Sequence, residues 1–291
     1  LTPFSQIPRK CLVTGGCGFL GRHIVSVLLD QGCEVTVFDI RGSIPDKRVR
    51  VIHGDLVDKA QVVAAFKGQE LVFHCASPPP ALNNAKLFHA VNVTGSQNVV
   101  DACIEVGVTR LVFTSSASVV YDGSNQVNVD EGIGYPTKYR DTYCETKALA
   151  EQLVLKHSKE SGGALNAVAV RPHGLFGAND PQLVPTLVKT AKAGKMKFAI
   201  GTGFTLADFT YIGNVVHSHM LAAQACTPGN AAVGNVYFIT NDQPVSFWGF
   251  MSSILVSLGY TPPSRHLPYG PILALSYVAS VRASGFVPWL P

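Results

Sequence analysis

The 291-residue sequence predicts an α/β fold: a doubly wound parallel sheet in residues 8–177, followed by a smaller C-terminal lobe in residues 178–291. Three observations predict it. Short apolar runs alternate with helix-like segments from residue 10 to residue 170, and strands separated by helices in this way pair in parallel. A glycine-rich turn joins the first apolar run directly to an apolar helix face. Beyond Gly177 the alternation gives way to an irregular stretch rich in Pro and Gly, where a substrate lobe would sit, with one or more segments returning to the main domain.

Lys10-Cys11-Leu12-Val13 reads as the first strand, and Ile24 to Leu29 supplies the apolar face of the helix after it. Between them runs Thr14-Gly15-Gly16-Cys17-Gly18-Phe19-Leu20-Gly21, a GxxGxxG spacing in the strand-turn-helix setting that a phosphate loop requires. Gly15 permits the tight turn, Gly18 lets backbone approach a pyrophosphate, and Gly21 lets the helix pack on the strand. Phe19 and Leu20 open the helix, whose N-terminus faces the phosphates. The second strand, 34–38, ends at Asp39, near the distance at which an acid meets the adenosine ribose of a dinucleotide. A carboxylate there repels a 2′-phosphate, so NAD is expected ahead of NADP; Arg41, two residues on, keeps NADP open. Next come a strand at 50–53 leading to Gly54-Asp55-Leu56, a helix around 62–66, a strand at 71–74 and a long helix from about 87 to 106. A strand at 111–114 runs into Ser115 and Ser116, a helix carries Tyr143, and 167–170 is the last parallel strand of this Rossmann-type sheet.

Tyr143 and Lys147 stand four residues apart, so on a helix they share a face, and an ammonium beside the phenol would lower its pKa. A phenol at its ordinary pKa of about 10 is a poor base at neutral pH. Ser116, just beyond a strand's carboxyl end, points to the crevice where open α/β sheets bind ligands. Ser116, Tyr143 and Lys147 therefore read as a proton-transfer site beside a bound dinucleotide. A Tyr-x-x-x-Lys pair alone more often only covers a helix surface; the glycine loop upstream favours chemistry.

Charged residues make up 14% of the chain, against about a quarter in an ordinary globular protein, which suits an apolar substrate or a membrane surface. The formal charge of +4 comes without a basic stripe, so nucleic acid is not an expected partner. The seven cysteines form no C-x-x-C pair, which suggests neither a disulfide framework nor zinc, and a reducing compartment. Cys144 reads as a helix filler. His217 and His219 fall on different helix faces, so no metal site is expected. The first ten residues lack a signal pattern, and the apolar run 272–281, broken by Arg282, is too short to span a bilayer.

These residues together resemble the extended short-chain dehydrogenase/reductase family over nearly the whole chain. His74-Cys75-Ala76-Ser77-Pro78-Pro79-Pro80, Thr114-Ser115-Ser116-Ala117-Ser118-Val119, Arg171-Pro172-His173-Gly174-Leu175-Phe176-Gly177 and the stretch from Asp208 to Val216 are similar to its 3β-hydroxysteroid dehydrogenase branch. The resemblance implies that Asp55 and Leu56 flank the adenine, that Ala76 and Ser77 run beside the pyrophosphate, and that Asn92 braces the sheet end. It also implies that Pro172 lies where backbone meets the nicotinamide, that His173 faces substrate, and that Tyr143 and Lys147 touch the cofactor as well as the reacting hydroxyl. The implied activity is NAD(P)-dependent oxidation of the 3β-hydroxyl of a 4α-carboxysterol with loss of carbon dioxide. A plain 3β-hydroxysteroid dehydrogenase/isomerase and an inactive dinucleotide-binding scaffold or redox sensor are the alternatives. For the substrate carboxylate, Lys138 follows a Tyr135-Pro136-Thr137 turn able to aim it inward. The branch implies a cytosolic-face endoplasmic reticulum membrane or lipid-droplet location, and allows a homodimer. Its members continue with a longer hydrophobic segment, so the chain, opening at Leu1, is expected to be a shortened form with an incomplete lobe.

Overall fold

The computed structural model describes Phe4 and residues 6–272. In chain order the elements begin β1 (Lys10–Thr14), α1 (Phe19–Asp30), β2 (Glu34–Asp39), β3 (Arg50–His53), α2 (Lys59–Phe66), β4 (Leu71–His74), the one-turn α3 (Ala85–Phe88) and α4 (Gly95–Val106). They continue with β5 (Arg110–Thr114), α5 (Thr142–Glu160), β6 (Asn166–Pro172), β7 (Leu175–Phe176), α6 (Leu183–Lys192), β8 (Phe198–Ile200), β9 (Leu206–Ala207) and β10 (Thr210–Tyr211). The last are α7 (Ile212–Ala225), β11 (Val236–Ile239), β12 (Val245–Ser246), α8 (Phe247–Ser257) and β13 (Arg265–Leu267).

Seven strands form one sheet in the order β11-β6-β5-β4-β1-β2-β3, and every neighbouring pair is parallel. The doubly wound sheet expected from the alternation is present. The chain leaves β1 toward β2 and β3, then returns to place β4 on the other side of β1. A crevice therefore opens at the carboxyl ends of β1 and β4, the switch point where such sheets bind ligands.

Strand periodicity divides the core between the two faces of the sheet. Cys11, Val13, Val37, Phe73 and Val112 pack with Ile24 and Leu28 of α1 and with Val215 and Met220 of α7. Leu12, Phe38, Val72, Leu111 and Phe113 pack with Val62 and Phe66 of α2, Val99 and Cys103 of α4 and Val154 of α5. Each strand supplies both layers, so these strands read as continuous apolar runs.

Two expectations are corrected. The helix expected to run unbroken over 87–106 is interrupted: residues His89–Thr94 form a π-helical turn between α3 and α4. The stretch after Gly177, which reads as irregular, contains among its described residues the helices α6, α7 and α8 and a seventh strand for the main sheet, because β11 pairs with β6 from Val236↔Ala169 to Ile239↔Pro172. The sequence between these elements is rich in turn residues, which masks short elements whose partners lie far away.

The chain divides into two compact units, Leu1–Gly177 with Thr210–Thr240, and Ala178–Phe209 with Asn241–Pro291. In the second unit α6 packs against α8, β12 pairs antiparallel with β9, and β13 pairs parallel with β8. Phe209 stacks on Phe250, with ring centroids 4.5 Å apart. The apolar run at 272–281 lies, apart from Ile272, outside the described residues; among the described residues no helix is long and apolar enough to cross a membrane.

A buried ion pair ties α5 to the end of β6. Arg171 Nε donates to Glu151 Oε2 at 2.9 Å and Nη2 to Oε1 at 2.6 Å, and the Tyr135 hydroxyl donates to the same Oε1 at 2.5 Å. The guanidinium lies 5.6 Å from the Tyr135 ring centroid and 5.1 Å from that of Phe238 on β11. Removing one partner of such a pair leaves an uncompensated buried charge.

Phe73 is fully buried on a central strand, so Phe73→Ala is expected to cost about 3–5 kcal/mol of stability. Urea unfolding followed by circular dichroism reads this as a lower midpoint; a loss under about 1 kcal/mol would show that the layer beneath β4 collapses freely.

Candidate active site

The glycine loop is shaped by contacts that only hydrogen side chains permit. Gly15 has φ +68°, its N–H donates to the Phe38 carbonyl at 2.9 Å, and a Cβ there would stand 2.7 Å from the Ala76 Cα. Gly16, which the motif reading passed over, is as constrained: its Cβ would lie 2.5 Å from Val37 Cγ2. A Cβ on Gly21 would overlap the Gly15 carbonyl oxygen, so that glycine closes the loop on itself rather than easing helix against strand. Gly18 caps α1 without a side-chain bond, and the first-turn N–H groups of Phe19, Leu20 and Gly21 have no intrahelical acceptor. This cradle fits a pyrophosphate.

Asp39 ends β2 beside the loop. Its Oδ2 accepts from the Cys17 N–H at 3.0 Å and its Oδ1 from the Arg41 N–H at 3.3 Å. The two backbone bonds fix the carboxylate and leave each oxygen a lone pair for ribose hydroxyls. Asp55 Oδ1 accepts from the Val57 N–H at 2.9 Å, and the cap of α2 is Asp58, whose side chain accepts from the Gln61 N–H. Asp55 is therefore not the cap of α2. Leu56 is buried, with its carbonyl accepting from Asn98 Nδ2 at 2.8 Å.

Ala76 and Ser77 follow β4 across the crevice. The Ala76 N–H donates to Thr14 Oγ1 at 3.3 Å, and Ser77 Oγ donates to Asn92 Oδ1 at 2.9 Å. Asn92 sits in the π-helical turn, 2% exposed, and its Nδ2 donates to Thr146 Oγ1 on α5 at 3.1 Å. The bulge thus aims one amide at both the loop after β4 and the helix that carries Tyr143.

Asp141 caps α5 by accepting from the Cys144 N–H at 2.9 Å, which places Tyr143 in the first turn and Lys147 one turn on. Ser116 lies just past β5, where its Oγ accepts from the Ser118 N–H at 3.2 Å and meets Ser118 Oγ at 2.8 Å. The Tyr143 ring packs edge-on against Phe88 at 5.7 Å. Burial pushes the Tyr143 phenol up to about 12, and a hydrogen bond from Ser116 pulls against that rise. Lys147 is 4% exposed and burial drives its ammonium down to about 8. Its Nζ donates to the Thr114 carbonyl at 2.5 Å and stands 4.6 Å from the Phe113 ring centroid.

The expectation that Lys147 lowers the Tyr143 pKa is therefore corrected. Four-residue spacing puts both on one helix face, but the lysine side chain turns to the end of β5, and Ser116 is the group that favours the phenolate. Pro172 is buried at the end of β6 and His173 is exposed just beyond it. Lys138 is exposed; the turn before it directs Tyr135 inward to Glu151, not the lysine.

Beneath the site lies a polar layer that sequence reading missed. His74 bridges Thr14 Oγ1 at 2.7 Å and Ser96 Oγ at 2.9 Å, and burial together with the Lys147 charge lowers it to about 3. Its signal was available as a histidine ending an apolar strand. His217 and His219 diverge as expected: the His217 ring is exposed and tilted against Phe4, with centroids 5.5 Å apart, and His219 is fully buried.

A model of the 3-beta hydroxysteroid dehydrogenase/isomerase family matches residues 12–269. The chain belongs to this family. It is 49% identical to the sterol-4-alpha-carboxylate 3-dehydrogenase, decarboxylating, of Bos taurus over 91% of this chain and 75% of that one. It is 47% identical to the Homo sapiens protein of the same name, over 90% of this chain and 70% of that one. Among solved structures, MoeE5 in complex with UDP-glucuronic acid and NAD superposes with a TM-score of 0.75 at 30% identity, covering 89% of this chain and 85% of that one. An epimerase of Methanothermobacter thermautotrophicus shares the fold, with a TM-score of 0.78 at 22% identity over 91% of this chain and 85% of that one. The 3-beta hydroxysteroid dehydrogenase/isomerase match spans both units of the chain.

Ser116→Ala removes the bond that favours the phenolate, so the Tyr143 pKa is expected to rise further and the acid limb of the pH–kcat profile to move to higher pH. A limb that stays in place would separate Ser116 from the ionisation of Tyr143.

Proposed function

We propose that this protein oxidises the 3β-hydroxyl of a 4α-carboxysterol with NAD and releases carbon dioxide, giving a 3-ketosterol. The observation that carries the reading is that Ser116 and Tyr143 come together beside a glycine-rich loop at a Rossmann switch point, in a chain 47–49% identical to decarboxylating sterol-4-alpha-carboxylate 3-dehydrogenases. NAD, when bound, supplies the hydride acceptor for C3 of the sterol.

The residues of the chain do the rest. The N–H groups at the start of α1 bind the pyrophosphate, and Asp39 accepts from the adenosine ribose. Asp55 and Leu56 flank the adenine, Ala76 and Ser77 line the pyrophosphate path, and Pro172 and His173 close the far end. Ser116 donates to the substrate oxygen and Tyr143 accepts its proton as the alcohol is oxidised. Lys147 holds its ammonium on the Thr114 carbonyl at the end of β5, from where it would reach the nicotinamide ribose. Oxidation leaves a β-keto acid. Its C–CO2 bond breaks with the electron pair entering the new C3 carbonyl, so Ser116 and Tyr143 need only stabilise that oxygen. The apolar substrate and the low share of charged residues support a location at the endoplasmic reticulum membrane.

Incubation with NAD and a 4α-carboxysterol should yield NADH and carbon dioxide in equal amounts, and Tyr143→Phe should lower the rate by about 10²–10⁴-fold while NAD still binds. Turnover of a plain 3β-hydroxysterol without any for the carboxylated one would instead favour the dehydrogenase/isomerase reaction.

Asp39→Ala should weaken NAD and lift the exclusion of NADP, because the ribose acceptor and its repulsion of a 2′-phosphate are lost together. Two dissociation constants check this; an unchanged preference would take Asp39 away from the ribose.

A further inference from the structure

We infer that His219 of α7 is a positioning residue for this site: as a neutral imidazole protonated on Nδ1 it orients Thr114, whose carbonyl holds the Lys147 ammonium. The inference deepens the function proposed above and rests on it. His219 Nδ1 lies 2.7 Å from the Val215 carbonyl oxygen, which can only accept, so Nδ1 carries the hydrogen. In the neutral ring Nε2 is then an acceptor, and Thr114 Oγ1, 2.8 Å away, must donate to it. A threonine hydroxyl has one proton. Cys75 Sγ also lies within reach of it, at 3.2 Å, but sulfur is the weaker acceptor, so His219 takes the bond.

Thr114 has a second task, since its carbonyl accepts from Lys147 Nζ at 2.5 Å and the chain passes from it through Ser115 to Ser116. One residue thus joins α7 to both Lys147 and Ser116. His219 is fully buried, and burial lowers it to about 4, so it stays an acceptor at neutral pH. The groups around it and Lys147 are Thr114 and Phe113 of β5, His74 and Cys75 of the β4 end, and Glu151 of α5. A histidine that only filled the core would need its two bonds satisfied and nothing more.

Two substitutions separate these roles. Glutamine can place an amide oxygen near the position of Nε2 and keep the acceptor for Thr114, whereas asparagine reaches only the position of Nδ1 and keeps the bond to Val215. His219→Gln is expected to lose no more than about threefold in kcat, and His219→Asn to lose about tenfold or more, with the KM for NAD changed little in both. Equal losses, or a greater loss for glutamine, would overturn the assignment. Nitrogen-15 NMR of the wild-type protein tests it without a substitution: the Nδ1–H tautomer should persist through neutral pH, and an Nε2–H tautomer would overturn it. A ¹³C titration of Lys147 is independent of sterol turnover and should show a further fall in pKa in His219→Asn but not in His219→Gln. If that titration behaves as expected while the wild-type protein leaves the carboxysterol unchanged, the proposed reaction fails and the positioning role stands.

Discussion

The structure is organised around a lysine ammonium held inside a protein core. Lys147 is 4% exposed, and a charge taken out of water is costly unless fixed dipoles replace the lost hydration. Here the Thr114 carbonyl and the face of Phe113 do so, and the residual cost shows as an ammonium lowered to about 8. The neighbouring imidazole of His74 is held neutral by burial and by that same charge. A protonated ring there would add a second positive charge to the layer.

The helix that flanks this layer, α5, is fixed by directed polar bonds. The helix that carries Tyr143 is tied at its first turns by Asn92 to Thr146, and a turn later by Glu151 to Arg171 and Tyr135. Apolar packing on both faces of the sheet gives stability, but packing alone tolerates small shifts of helix against strand. Directed hydrogen bonds do not. Proton transfer needs heavy atoms within about 3 Å, so a polar brace on α5 serves the chemistry more directly than further burial would.

The sequence made the glycine loop, Asp39, the strand ends and the Tyr143 helix legible because each is a local pattern. A turn residue, a strand period or a four-residue spacing acts within a few positions along the chain. The same local logic erred where contacts from outside shaped the chain. The helix at 87–106 looks uniform, yet Asn92 is turned by a π bulge toward Ser77 and Thr146. Gly16 carries no sign of Val37, and Lys138 no sign that Tyr135 would take the inward position.

By itself, then, the sequence determined the order of elements, the sheet class and the residue types gathered at the crevice, since these follow from apolar periodicity and turn chemistry. Only the tertiary structure decided what those residues do to one another. The acceptor for Lys147 comes from 33 residues away, the partner of Asn92 on α5 from 54, the bond from Thr14 to His74 spans 60, and that from Thr114 to His219 spans 105. A pKa depends on burial and on such partners. The protonation states of Tyr143, Lys147 and the two buried histidines were therefore fixed by the folded sheet and not by the spacing of residues along the chain.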